Sequence, residues 1–177
     1  MQAKLAKAVR AHFAQQMTKR LPAFQLLAKG NPDLYILQVS QDLVFFVYLS
    51  ISEGKDSFVL EVAANENKQF PWTEMPGTLR NLETGTTKKM WRFRISKLWG
   101  EPKSHAWILG EVRNHQRILD DVRNKAYLAP EELESKLKEV ESKVRDAVDK
   151  VCEYGIPYLE LVAKKHGIDA NIVVAPA

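Results

Sequence analysis

Residues 42 to 66 read DLVFFVYLSISEGKDSFVLEVAANE, two runs rich in Val, Phe, Leu and Ile split by Ser52-Glu53-Gly54-Lys55-Asp56. Apolar runs of strand length on either side of a polar, glycine-bearing break predict a β-hairpin. If Gly54-Lys55 is a two-residue loop, the glycine sits where a type II′ turn needs positive φ, and pairing runs outward from Ser52 opposite Ser57 to Val44 opposite Asn65. Successive side chains of a strand point to opposite faces, so this register puts Phe45, Val47, Leu49 and Ile51 beside Phe58, Leu60, Val62 and Ala64. The other face carries Val44, Phe46, Tyr48, Val59, Glu61, Ala63 and Asn65, and being half apolar it is expected to be covered in part.

On the N-terminal side, Leu5, Val9, Phe13, Met17 and Leu21 recur every four positions from Ala3 onward, the spacing of one helix face. The helix is expected to end at Leu21-Pro22, because the residue before a proline is pushed out of the helical region. Two short strands follow, Phe24 to Ala28 and Leu34 to Ser40, parted by a turn at Lys29 to Asp33. On the C-terminal side, residues 67 to 89 show no periodicity and contain Pro71, Pro76, Gly77 and Gly85, which predicts a long irregular loop.

From Met90 to Trp99, Trp91, Phe93, Ile95 and Trp99 alternate with Arg92, Arg94 and Ser96, as in a strand with one core face and one basic face. Beyond Gly100-Glu101-Pro102, the residues Ile108, Val112, His115, Leu119 and Val122 suggest a helix. A second helix starts at Pro130-Glu131-Glu132, with proline pre-set for the first turn and acids at the positive end of the helix dipole. Its seam of Leu133, Leu137, Val140, Val144, Ala147, Val148 and Val151 suits either the core or pairing with a second copy. Gly155 is expected to stop it. A shorter helix bearing Tyr158, Leu161 and Val162 opens at Pro157 and closes at His166-Gly167. The fold class that results is α+β: a single domain over residues 1–177 with an antiparallel meander of four or five strands, packed against an N-terminal helix and C-terminal helices.

The composition of the 177 residues, 45% hydrophobic and 27% charged, is that of a globular chain rather than a disordered or fibrous one. No apolar run reaches the roughly 18 residues needed to span a bilayer. A lone cysteine, Cys152, and the lack of a secretory pattern at the start point to the cytoplasm. The net charge of +4 is unevenly placed: residues 1 to 32 hold no acid, and Lys88, Lys89, Arg92 and Arg94 lie close together. Such zones steer acidic or phosphate-rich partners.

Chemistry is less well marked. His12, His105, His115 and His166 are scattered, with no pair at the spacing of a zinc helix and no second cysteine, so no metal or cofactor is expected. His115 reads as a satisfied helix-face imidazole and Cys152 as packing. There is no Gly-x-Ser-x-Gly elbow and no glycine-rich phosphate loop. Asp42 at the start of one hairpin strand and Glu66-Asn67-Lys68 after the other echo the acid and acid-x-Lys sets of restriction-endonuclease-like metal nucleases. The two-residue turn places Asp42 and Glu66 on opposite faces, whereas a three-residue turn at Glu53-Gly54-Lys55 would bring them together. The mixture Lys88-Lys89-Met90-Trp91-Arg92-Phe93-Arg94 invites nucleic-acid binding, although alternation separates its rings from its arginines. Trp72, in a proline-flanked loop, suits a protein anchor.

Leu43 to Ile51, the segment Arg94-Ile95-Ser96-Lys97-Leu98-Trp99 with Trp107, and Ile156-Pro157-Tyr158-Leu159-Glu160 together resemble a group of small uncharacterised bacterial α+β domains. The resemblance implies the same order of helix, meander and closing helices, and no catalytic residues. The expectation for function is therefore a non-enzymatic module of the bacterial cytoplasm that binds another protein, in a toxin-immunity or defence system. Trp72, Lys88, Lys89, Arg92 and Arg94 are its candidate contacts. The alternatives are a nucleic-acid-binding domain, in which these basic residues join the N-terminal helix in one stripe, and a metal-dependent nuclease using Asp42, Glu66 and Lys68. A homodimer is left open.

Overall fold

The computed structural model describes residues 3–29, 33–52, 56–65, 90–100, 106–110 and 130–176. The fold is α+β. Its antiparallel sheet runs in the order β1 (Gln25–Ala28), β2 (Asp33–Gln38), β3 (Val44–Ser52), β4 (Ser57–Asn65) and β5 (Met90–Arg94), and a two-residue β6 (Trp107–Ile108) also pairs with β4. Helix α1 (Ala3–Arg20) precedes the sheet. Helix α2 (Pro130–Lys150), a π-helical turn at Val151–Gly155 and helix α3 (Ile156–Lys165) follow it.

The hairpin adopts the expected register, from Val44 opposite Asn65 to Ser52 opposite Ser57. All eight inward residues, Phe45, Val47, Leu49, Ile51, Phe58, Leu60, Val62 and Ala64, belong to one buried core. On this face lie α1, through Leu5, Val9, Phe13 and Met17, and α2, through Val140, Val144, Ala147 and Val148, all fully buried. The seam of α2 is thus core. Phe13 meets Tyr35 of β2 edge-on at 5.4 Å, and Arg10 of α1 reaches Asp33 at 3.3 Å, so α1 lies over β2. The opposite face is buried too, with Leu34, Val44, Phe46, Tyr48 and Ala63 in a second cluster.

Several boundaries differ from expectation, each for a physical reason. The strand expected over Met90 to Trp99 ends at Arg94, and Ile95–Trp99 form a 3-10 turn closed by Gly100 at φ +83°. That turn carries the chain off β4 opposite Glu61. The chain returns as β6, with Trp107 opposite Phe58. Ile108, expected on a helix, lies in that strand; residues 111–129, which carry the rest of that expected helix, fall outside the described residues, as do the Gly54-Lys55 turn and the loop 67–89.

Gly155 does not stop α2. The chain continues helically through it at φ −70° into α3, and Pro157 lacks the N–H that would bond the Glu153 carbonyl. The ladder widens by one residue just before the proline, with the Ile156 N–H donating to the Val151 carbonyl. What Gly155 provides is room: a Cβ there would lie 2.9 Å from Ile95 Cδ1 and 3.0 Å from Val62 Cγ1. On α3, Val162 is buried but Leu161 is exposed. Gly167, at φ +71°, closes the helix as expected.

Candidate partner-binding site

Four rings rise from the core toward the surface beside the π-helical turn. Phe58 of β4 stacks on Trp107 of β6 at 5.6 Å, Trp107 meets Trp99 edge-on at 6.2 Å, and Trp99 lies 5.7 Å from Tyr154. The inner two are buried and the outer two are partly exposed. Lys150 caps the series, its Nζ 5.9 Å from the centre of the Trp99 ring and 5.2 Å from that of Tyr154, within cation–π range. The π turn matters here, since an added residue per turn rotates the next stretch of helix and sets where Tyr154 sits relative to Lys150.

Side chains of α2 fix the inner part. The Trp107 indole N–H donates to Asp146 Oδ2 at 2.7 Å, and the Gly110 N–H donates to Glu139 Oε2 at 3.1 Å. Lys136, buried, ion-pairs with Asp56 at 2.5 Å and Glu132 at 3.3 Å. The Leu109 N–H in turn donates to the Asp56 carbonyl at 2.7 Å. Lys136 packs its methylenes where a side chain on Gly110 would stand, and Gly110 has φ +76°. One face of α2 therefore holds the strip Trp107 to Gly110 against the hairpin end, and a ring so held is pre-organised.

At the outer end, Lys150 Nζ bonds Glu153 Oε2 at 2.9 Å. The hydrogen bond with Glu153 raises the Lys150 pKa above its ordinary range, and the same bond lowers that of Glu153. A further hydrogen bond with Glu153 raises the Tyr154 phenol. The surface is thus a neutral phenol and an indole rimmed by a matched ion pair. Cys152 lies on the same turn, its thiol pushed up by burial, so it is a poor nucleophile.

Of the residues singled out from sequence, the described ones, Asp42, Arg92 and Arg94, hold positions elsewhere. Arg94 pairs with the buried Glu61, Nε to Oε1 at 3.5 Å, and its strand position belongs to the sheet face turned away from α1. Arg92 is opposite Ala63 in the same register, so these two positions and α1 lie on opposite sides of the sheet and do not form one stripe. Asp42 is exposed, in a bend where its N–H and that of Leu43 donate to Ser40 Oγ at 3.2 Å. The observed hairpin register, with Val44 opposite Asn65, is the one expected for the two-residue turn. Glu66, Lys68, Trp72, Lys88 and Lys89 lie outside the described residues. Among the described residues no group of three or more His, Cys, Asp or Glu could hold a metal ion, and no helix is long and apolar enough to cross a membrane.

Sequence reasoning missed Tyr154 and Lys150 altogether and gave Trp99 and Trp107 no role in binding, placing Trp99 on the core face of a strand. The available signal was the proline at 157, which removes a helical bond from the turn holding Tyr154. Comparison with known proteins finds no matching family model, no matching curated protein and no matching solved structure.

Proposed function

We propose that this chain is a non-enzymatic module of the bacterial cytoplasm that binds another protein, in a toxin-immunity or defence setting. The observation that supports this reading is the outer end of the ring series, where Trp99 and Tyr154 stand partly exposed and already ordered, with Lys150 held over both. Tryptophan and tyrosine dominate binding energy at protein interfaces, and rings fixed before encounter lose little freedom on binding. An apolar group of the partner covers the two rings, while the Lys150–Glu153 pair forms a polar rim around the contact.

The test is affinity capture with the full chain at two salt concentrations, with and without nuclease, comparing the unaltered chain, Tyr154→Ala and, as a control on the exposed side of α2, Lys138→Ala. One stoichiometric protein recovered by the first and third under every condition, and reduced about tenfold or more with Tyr154→Ala, is the expected result. Equal recovery by Tyr154→Ala, or recovery of nucleic acid lost on nuclease treatment, overturns it.

A further inference from the structure

The sheet has a second feature, independent of the rings. Among the described residues β1 ends the strand order, and its residues Gln25, Leu26 and Leu27 are exposed, the two leucines at 38% each. The strand Gln25-Leu26-Leu27-Ala28 contains neither a charge nor a proline, the usual devices that keep an edge from pairing. A bulge between Leu26 and Ala28 leaves Leu27 out of the β2 register, which limits the edge to a short partner strand.

The charge around this edge selects the partner. α1 lies over β2, and α2 packs beside it on the hairpin side, where Asp146 and Lys136 reach Trp107 and Asp56. α1 is thus the helix nearer β1. Its Lys4, Lys7 and Lys19 are exposed, as is Lys29 just after β1, and the first acid in the chain, Asp33, is buried against Arg10. A second copy paired through β1 would bring one lysine-bearing border, whose acids Asp33 and Asp149 are already paired with Arg10 and Arg20, against another, a like-charge arrangement that disfavours association. An acidic strand meets the opposite.

We propose that the outer edge of β1 binds an extended, acid-flanked segment of another protein as an added strand. Main-chain hydrogen bonds to β1 hold it, alternate apolar residues rest on Leu26 and Leu27, and its acids lie against Lys19 and Lys29. The site does not involve Tyr154, so it stands or falls apart from the ring surface.

Selection of a random dodecapeptide library displayed on phage against the full chain tests it. Enriched peptides are expected to carry an excess of Asp and Glu around alternating apolar residues and to slow amide exchange at Leu26 and Leu27. They should bind about tenfold or more weakly to Leu27→Pro and to the double variant Leu26→Lys/Leu27→Lys, and unchanged to Tyr154→Ala. Two variants are used so that misfolding of one, read by circular dichroism, leaves the other. No enrichment, enriched peptides without acidic excess, protection of a different segment, or a micromolar self-dimer broken by the β1 variants overturns the proposal.

Discussion

β3 and β4 meet along nine residue pairs, and every inward member is apolar and buried. β6, on the same strand β4, contributes two pairs and is held instead by Asp146, Glu139 and Lys136 of α2, far away in the chain. The hairpin is cohesive because a periodic pattern fills one face. The strip Trp107 to Gly110 stays in place because polar groups on a distant helix happen to reach it, and the ring series depends on that strip. Stability and the candidate site therefore rest on different interactions, and substitutions can separate them.

The largest separation comes from cutting each region at its centre. Phe45→Ala should cost about 3–5 kcal/mol by the loss of a fully buried ring, in line with large-to-small core changes. Asp56→Ala leaves the buried Lys136 with Glu132 alone and should cost about 2–3 kcal/mol, while the double change Asp56→Asn/Lys136→Met, which removes both charges and keeps the volume, should lie within about 1 kcal/mol of the unaltered chain. Denaturant unfolding measures all three. If Asp56→Ala costs no more than loss of the exposed Lys138–Glu134 pair, the polar pinning of the strip is wrong. Near-ultraviolet circular dichroism of the tryptophans sharpens the contrast, since Asp56→Ala should reduce the signal at a temperature where the chain is still folded.

This difference explains what the sequence could disclose. The four-residue steps of α1, the hairpin register and the seam of α2 are local repeats, and a repeat is legible because each residue restates the same face. The end of β5 at Arg94 is not local: the chain leaves the ladder where Ile95 and Ser96 are buried and Gly100 turns it back, a choice made by what lies across β4. β6 is too short to carry a pattern. Tyr154 and Lys150 come together with Trp99 only through tertiary packing and a π turn, and the basic and aromatic mixture of residues 88 to 94 had placed the interest on Arg92 and Arg94 instead. Alternation did correctly assign Arg94 to the face away from Ile95, where it meets Glu61.

A smaller effect tests the joint between the two regions, where Gly155 touches Ile95 and Val62. Gly155→Ala gains helix propensity but forces its methyl against Ile95 Cδ1, so a net loss of about 1–2 kcal/mol is expected. Ile95→Val removes that same methyl group. The double variant should therefore lose about 1 kcal/mol less than the two single changes combined, a coupling read from a double-mutant cycle. Additive losses would mean that Val62, not Ile95, sets the limit, and Val62→Ala in the same cycle would then carry the coupling.

The smallest effect concerns Tyr158, one turn beyond the π segment, whose pKa burial pushes up to about 12. In the unfolded chain a tyrosine titrates near about 10. The folded state thus keeps its proton over a range in which the unfolded state has lost it. The stabilisation associated with the neutral ring is fully present below pH about 10 and is lost as pH rises through about 12. Because the ring is partly exposed, the loss should be about 1 kcal/mol rather than the full value of two pH units. Tyr158→Phe has no proton to lose, so the stability gap between it and the unaltered chain should shift in favour of the variant between pH 9 and 12. Tyr154, on the outer surface, offers an internal contrast: its pKa is raised by a hydrogen bond with Glu153, not by burial in the first place. Glu153→Gln should therefore move the ultraviolet titration of Tyr154 toward the ordinary phenol range and leave that of Tyr158 where it is. If both tyrosines move together, the ring surface and the core are coupled through the π turn, and the division drawn between the two regions fails at that point.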